Sequence, residues 1–282
     1  MEPTRLEAIV SHVQANGLDT KDMAPGASSN YTFSIDGNGI AFIPITGVMM
    51  KPQPKVGGTS TILVRKAIRM AISNTNVRGI MLVVDSPGGA AAGNAQLADE
   101  VKAANQIKPV FSYFDDVAAS AALFATVYSQ TIYALPTGLV GCIGSRMVLI
   151  DSSQEAQDAG VKVIPLVSNY DGVAAVDKAR FEVGTPITEE DLAYAQEIVQ
   201  VSGDAFYQYM LDGRLSKAQL KAVASGAVYT AADAKSKGLV DSIGTLQDAT
   251  RGMLKEIGAR ERAAKQSQRQ ASVRRRIVQS RK

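Results

Sequence analysis

The stretch Val77-Arg78-Gly79-Ile80-Met81-Leu82-Val83-Val84-Asp85-Ser86-Pro87-Gly88-Gly89 decides how this chain is read. Gly79 to Val84 is an unbroken apolar run, short in the way of a strand whose two faces are both covered. It stops at Ser-Pro-Gly-Gly, where paired glycines let the backbone turn sharply and bring amide hydrogens close to a ligand. Ala90 to Ala104 then carries helix formers throughout. A covered strand, a glycine turn and a helix in that order make the first part of a βαβ unit.

Working outward, Gly39 to Thr46 predicts another buried strand, and Thr59 to Ser73 spaces its apolar residues along one helical face. Downstream, Pro109 to Phe114 predicts a strand, Ala118 to Ser129 an alanine-rich helix, and Thr131 to Ala134 a further strand. Ser152 to Ala159 reads as a helix and Val161 to Val167 as a strand. Thr188-Glu-Glu-Asp191 is a capping signal for a long helix reaching Leu211. Shorter helices are predicted near Ser216 to Ala224 and Thr230 to Lys237, then the strand-like Leu239 to Ile243. The alternation implies an α/β fold with a largely parallel sheet. Residues 1–36 read as an N-terminal arm with a short helix, 37–246 as the main domain, and 247–282 as a basic helical tail that frays.

Composition narrows the function. Of the 282 residues, 46% are hydrophobic and 20% charged, which supports a globular core and argues against a disordered chain. The apolar runs are too short to span a bilayer, and residues 1–16 lack the continuous apolar stretch of a secretory signal, so a cytoplasmic protein is expected. The single cysteine, Cys142, excludes an intrachain disulfide. The single histidine, His12, cannot build a multi-histidine metal site and is poorly placed to serve a Ser–His–Asp triad. No metal or cofactor is expected, and a nucleophile here would need a lysine or a carboxylate as its base. The net charge of +3 gathers in the tail, around Arg274-Arg-Arg276. No helix-turn-helix, finger or aromatic-studded groove accompanies it, so nucleic acid is not an expected partner beyond weak contact by the tail.

Three segments carry the chemistry. Asp85 to Gly89 suits an oxyanion hole. Val117-Ala-Ala-Ser120-Ala-Ala-Leu123 sets a serine among small residues at a predicted helix start. The glycines of Gly138-Leu-Val-Gly-Cys-Ile-Gly144 suggest close packing beside that serine.

In this order the segments resemble the signal peptide peptidase A group of serine peptidases, and among these the phage head-maturation (capsid assembly) proteases. The likeness runs from about Gly39 to Gly244. It rests on Gly39 to Gly47, Val77 to Gly89 with Ala92-Gly93, Asp116 to Ala122, Val140 to Gly144, and Ala227 to Ala234 with Gly238 to Asp241. The resemblance implies a crotonase-like, Clp-protease-like α/β spiral. It implies Ser120 as the acylated nucleophile, the amides of Gly88 or Gly89 and of Ala121 as oxyanion donors, and a lysine as general base. Such a lysine must be desolvated or crowded by positive charge until its pKa falls from about 10.4 toward neutrality.

The chain departs from the pattern in two places. Where the group has a Ser-Gly-x-x-Lys-like motif, this sequence reads Val167-Ser-Asn-Tyr-Asp-Gly172, and the nearest downstream lysine is Lys178, followed by Gly184-Thr-Pro186 and Thr188-Glu-Glu190. An insertion between strand and lysine therefore assigns Lys178 as the base. Cys142 stands where relatives carry a serine that orients the lysine. The expected activity is a Ser–Lys endopeptidase acting on capsid and scaffold proteins, assembled as a homo-oligomer. The alternatives are a cytoplasmic signal-peptide-peptidase-like enzyme of a bacterium and a catalytically inactive scaffold-binding protein. A crotonase-type acyl-CoA enzyme is disfavoured, because no acidic pair or CoA-binding feature is present.

Overall fold

The computed structural model describes residues 33–52, 54 and 57–279, with residues 273–279 described by backbone alone. The helix expected in the N-terminal arm, and His12, lie outside the described residues. Those described divide into two compact units, 33–143 with 206–279, and 144–205.

The first unit begins with β1 (Ser34–Ile35), β2 (Ile40–Thr46), β3 (Met49–Met50), β4 (Thr59–Ser60), α1 (Thr61–Ser73) and β5 (Gly79–Ser86). Then come α2 (Asn94–Ile107), β6 (Val110–Ala119), α3 (Ala121–Thr126), β7 (Thr131–Ala134) and β8 (Leu139–Gly141). The second unit holds α4 (Ser153–Asp158), the hairpin of β9 (Asn169–Tyr170) and β10 (Val173–Ala174), and the start of α5 (Glu189–Gly213). The chain ends in the first unit with α6 (Lys217–Val223), β11 (Val228–Thr230), α7 (Ala231–Ser236), β12 (Ser242–Ile243) and α8 (Leu246–Gln279).

The main sheet has the order β1-β2-β5-β6-β7-β12. Only β1 with β2 is antiparallel along this path; the other pairs are parallel. The expected α/β class with a largely parallel sheet is thus present. Both faces are covered, as the unbroken apolar runs require. Ile80, Leu82 and Val84 join Val64, Ile68, Leu97 and Val101 of α1 and α2. On the other face Met81, Phe111 and Tyr113 pack with Ala249, Met253 and Ile257 of α8. Alternate residues of β5 go to opposite sides, the period of a strand. Burying Met253 or Ile257 contributes about 2 kcal/mol each. The early turns of α8 therefore bury Ala249, Met253 and Ile257 in the core, and residues 261–272 are all exposed.

β6 is where the sheet changes course. Phe111 to Phe114 pairs with β7, whereas Val117 to Ala119 pairs with β8. Between them β6 bulges, so that β5 spends only Asp85 between the pairs Val84–Phe114 and Ser86–Ala118. A bulge bends its strand and increases its twist, which turns the end of β6 toward a new neighbour. The sequence placed Val117 to Ala119 outside the strand and Ala118 to Ser129 in a helix. The strand instead runs to Ala119 and the helix spans only Ala121–Thr126. Ladder pairing on both sides of these residues overrides the helix preference of alanine.

In the second unit, Val161 to Val167 is not a strand, and it has no ladder partner among the described residues. Just after it, Asp171 and Gly172 sit at φ +49° and +82° and close the two-residue turn of the β9–β10 hairpin. That is a type I′ turn, which Asp-Gly favours. The hairpin lies in the interval between Val167 and Lys178, where the sequence reading expects inserted residues. Leu239 to Ile243 is strand only at Ser242–Ile243.

Candidate active site

Ser120 lies at the junction between β6 and α3, with φ +53° and ψ −120°. A serine rarely takes this conformation, and holding it costs about 1–3 kcal/mol. Its neighbours enforce it. The Ser120 N–H donates to the Gly141 carbonyl at 2.9 Å, and its own carbonyl accepts from the Phe124 N–H at 3.0 Å. The backbone is thus fixed on both sides while the side chain stays half-buried, with no hydrogen-bond partner for Oγ among the described residues. The bond to Gly141 also places the 138–144 segment beside the serine, as its glycines suggested. Cys142 follows at φ +57°, its N–H donating to the Ala227 carbonyl at 2.8 Å.

The Asp85–Gly89 loop is pressed against the same turn. A Cβ added at Gly88, itself at φ +93°, would stand 2.7 Å from the Ala119 carbonyl oxygen, 2.8 Å from the Ala121 nitrogen and 2.8 Å from the Ser120 Cβ. One added at Gly89 would collide with the Met49 carbonyl. Only glycine fits at either position. The Met49 N–H donates to the Gly88 carbonyl and the Ala90 N–H to the Met49 carbonyl, each at 2.8 Å. Ser86 Oγ donates to the Gly47 carbonyl at 2.6 Å and accepts the Gly88 N–H at 3.1 Å.

That last bond bears on the oxyanion donors. The Gly88 amide named from the sequence is already committed to Ser86. The Gly89 N–H has no acceptor among the described residues, and neither has the Ala121 N–H at the first position of α3. With α3 only six residues long, any contribution comes from these individual amides rather than from a long helix dipole. Ser86 and Met49, which fix the loop, were not singled out from the sequence. A serine two residues before a turn glycine is the signal that could have pointed to Ser86.

Beside this loop, Asp85 Oδ1 accepts the Val117 N–H at 3.3 Å. Partial burial pushes its carboxyl above the usual carboxylate value, the Val117 N–H opposes this, and Asp116 and Asp115 add to the rise. Among the described residues no cluster of His, Cys, Asp and Glu could hold a metal ion.

Ser120, Gly88, Gly89 and Ala121 are therefore brought together in the first unit. Lys178 belongs to the second. It lies exposed on the short 3₁₀ turn Val176–Ala179 and lines an open groove of about 540 Å³ with Val163 to Ser168, Ala179 and Glu182.

The sequence pattern of peptidase family S49 matches residues 102–260, more than half of the chain and the part that carries Ser120. The chain belongs to peptidase family S49. The S49 match is accompanied by similarity to a putative protease of Methanocaldococcus jannaschii, 31% identical over 176 residues, which is 62% of this chain and 54% of that protein. Capsid assembly protease C of Escherichia phage lambda is 29% identical over 237 residues, 79% of this chain and 50% of the phage protein. This S49 peptidase thus spans about half the length of both relatives. Among solved structures, a mutant of the 1510-N membrane-bound stomatin-specific protease aligns with a TM-score of 0.47 at 13% identity, covering 77% of this chain and 85% of that one.

Proposed function

We propose that this S49 peptidase is a Ser–Lys endopeptidase that trims capsid and scaffold proteins during maturation of a phage procapsid. Ser120 Oγ attacks the scissile carbonyl carbon as the neutral amine of Lys178 accepts the hydroxyl proton. The amides of Gly89 and Ala121 hold the oxyanion of the tetrahedral intermediate. When the C–N bond breaks, the Lys178 ammonium returns its proton to the leaving amine. Water then attacks the Ser120 ester by the same route and frees the enzyme.

The observation that carries this reading is the strained, half-buried Ser120, set between two uncommitted amides, that of Gly89 in the glycine loop and that of Ala121 at the start of α3. Support for the substrate comes from the similarity to the lambda capsid assembly protease over 79% of the chain. Among the described residues no helix is long and apolar enough to cross a membrane.

Self-association is part of the proposal. In the second unit only Ala195 and Gly203 are buried, while Ile150 is 81% exposed and Leu166 93% exposed. So much uncovered apolar surface fits contact with a second copy or with an apolar substrate segment. Such cover would also supply the desolvation that a neutral lysine needs. A second reading, a peptide-degrading enzyme of a cell, is favoured by the similarity to the archaeal putative protease.

Incubation with the cognate capsid and scaffold proteins tests the proposal, with a fluorophosphonate probe as a substrate-independent measure of the serine. Specific cleavage and Ser120 labelling are expected of the wild type, and neither of Ser120→Ala or Lys178→Ala. Labelling without capsid or scaffold cleavage favours the cellular peptidase. No labelling in the wild type leaves an inert scaffold-binding protein.

A further inference from the structure

The Lys178 turn is held by a single side chain that the sequence reading passed over. Arg180, two residues on, is only 12% exposed in its side chain and meets three carboxylates. Its Nε donates to Asp177 Oδ1, its Nη1 to Asp191 Oδ1 and its Nη2 to Glu190 Oε1, each at 2.6 Å. Its guanidinium carbon also stands 5.1 Å from the centre of the Tyr194 ring. One partner, Asp177, lies on the Lys178 turn itself. The other three residues lie at the start of α5, where Asp191 additionally accepts from the Thr188 backbone and hydroxyl at 3.0 and 2.8 Å.

Next to Arg180, Phe181 sits at φ +65°, and its ring lies 6.3 Å from that of Tyr194. A phenylalanine keeps such a conformation only where its surroundings over-determine it. The rest of the unit offers little core to do so. The clamp, with the Ile187 N–H on Asp151 Oδ2 and the Gly184 N–H on Ser152 Oγ, both 3.0 Å, supplies the restraint instead.

We infer that Arg180 is the positioning residue for the general base: it fixes the Lys178 turn against α5 and offsets part of the negative charge of Asp177, Glu190 and Asp191, which eases loss of the Lys178 proton. This rests on the Ser120–Lys178 reading above. The titratable groups on this turn and on the elements packed with it are Asp177, Arg180 and Glu182, then Glu189, Glu190, Asp191 and Tyr194 of α5, Asp151 through its bond to Ile187, and Lys162 on the preceding segment. Carboxylates outnumber the cations other than Arg180. Loss of Arg180 would leave the three clamped carboxylates more negative by one charge, which favours the ammonium form of a neighbouring lysine and delays its deprotonation to higher pH. Those three carboxylates, Glu190 foremost, hold the guanidinium pKa above its usual value, so Arg180 stays charged wherever the enzyme works.

The test is the second-order rate of Ser120 labelling by a fluorophosphonate as a function of pH, in full-length protein checked by circular dichroism and thermal melting. Arg180→Gln is expected to lower the rate at neutral pH at least tenfold and to move its half-maximum upward by about one pH unit. Arg180→Lys, which keeps the charge but not the three-pronged geometry, should recover part of the rate and most of the pH position. A folded Arg180→Gln with wild-type rate and profile overturns the inference but leaves the dyad standing, provided Lys178→Ala does not label. An Arg180→Gln slowed without any change of pH position, or slowed equally in Arg180→Lys, reduces the clamp to a structural tie and also overturns it. Wild-type labelling of Lys178→Ala removes the dyad and the inference together.

Discussion

The two units of this peptidase are built on opposite principles. In the first, the sheet is covered on both faces, and Ser120 and its glycine loop are fixed by backbone bonds and by packing that only glycine permits. In the second, apolar side chains face outward and an arginine clamp does the work of a core. The half that bears Ser120 is therefore held in place by its own packing, whereas the half that bears Lys178 leaves most of its apolar side chains uncovered.

The sharpest way to break this contrast lies at Gly88. Gly88→Ala would drive a methyl group into the Ser120 turn at a positive φ, so a fall in Ser120 labelling of about 10²-fold or more is expected. An active Gly88→Ala would show that the first unit is not preorganised. A smaller effect is expected from Leu166→Glu, which puts charge on the most exposed apolar residue of the second unit. Sedimentation velocity should show weaker self-association, with labelling down about tenfold, if a second copy supplies the cover. Unchanged mass and rate would direct attention to the substrate instead. The least effect on chemistry is expected from Met253→Ala. Truncating this buried side chain should cost about 2–4 kcal/mol in urea unfolding, yet leave the labelling rate of the folded fraction unchanged.

What the sequence disclosed follows the same division. The covered strands from Gly39 and from Gly79 and the paired glycines were legible because burial on both faces and sharp turns constrain residue choice locally, whereas Ser120 stood out only through the order of motifs that resembles the family. The end of β6 was not, since whether Val117 to Ala119 extends a strand or starts a helix depends on β8, a partner more than 20 residues downstream. Val161 to Val167 has the composition of a strand, but composition supplies no neighbour to pair with. Lys178 could be approached only by its distance from a motif that is missing, and the hairpin turning at Asp171-Gly172 lies within that distance. Arg180 escaped notice because three of its contacts come from α5, ten or more residues on.

The backbone at position 120 carries one further consequence. Any residue with a Cβ must be bent to fit that turn, and alanine would inherit the distortion along with the loss of its hydroxyl. Glycine alone would rest there at ease, so the substrate-trapping variant that survives heating best should be Ser120→Gly. Catalysis, on this view, is kept by a residue that folding by itself would have discarded.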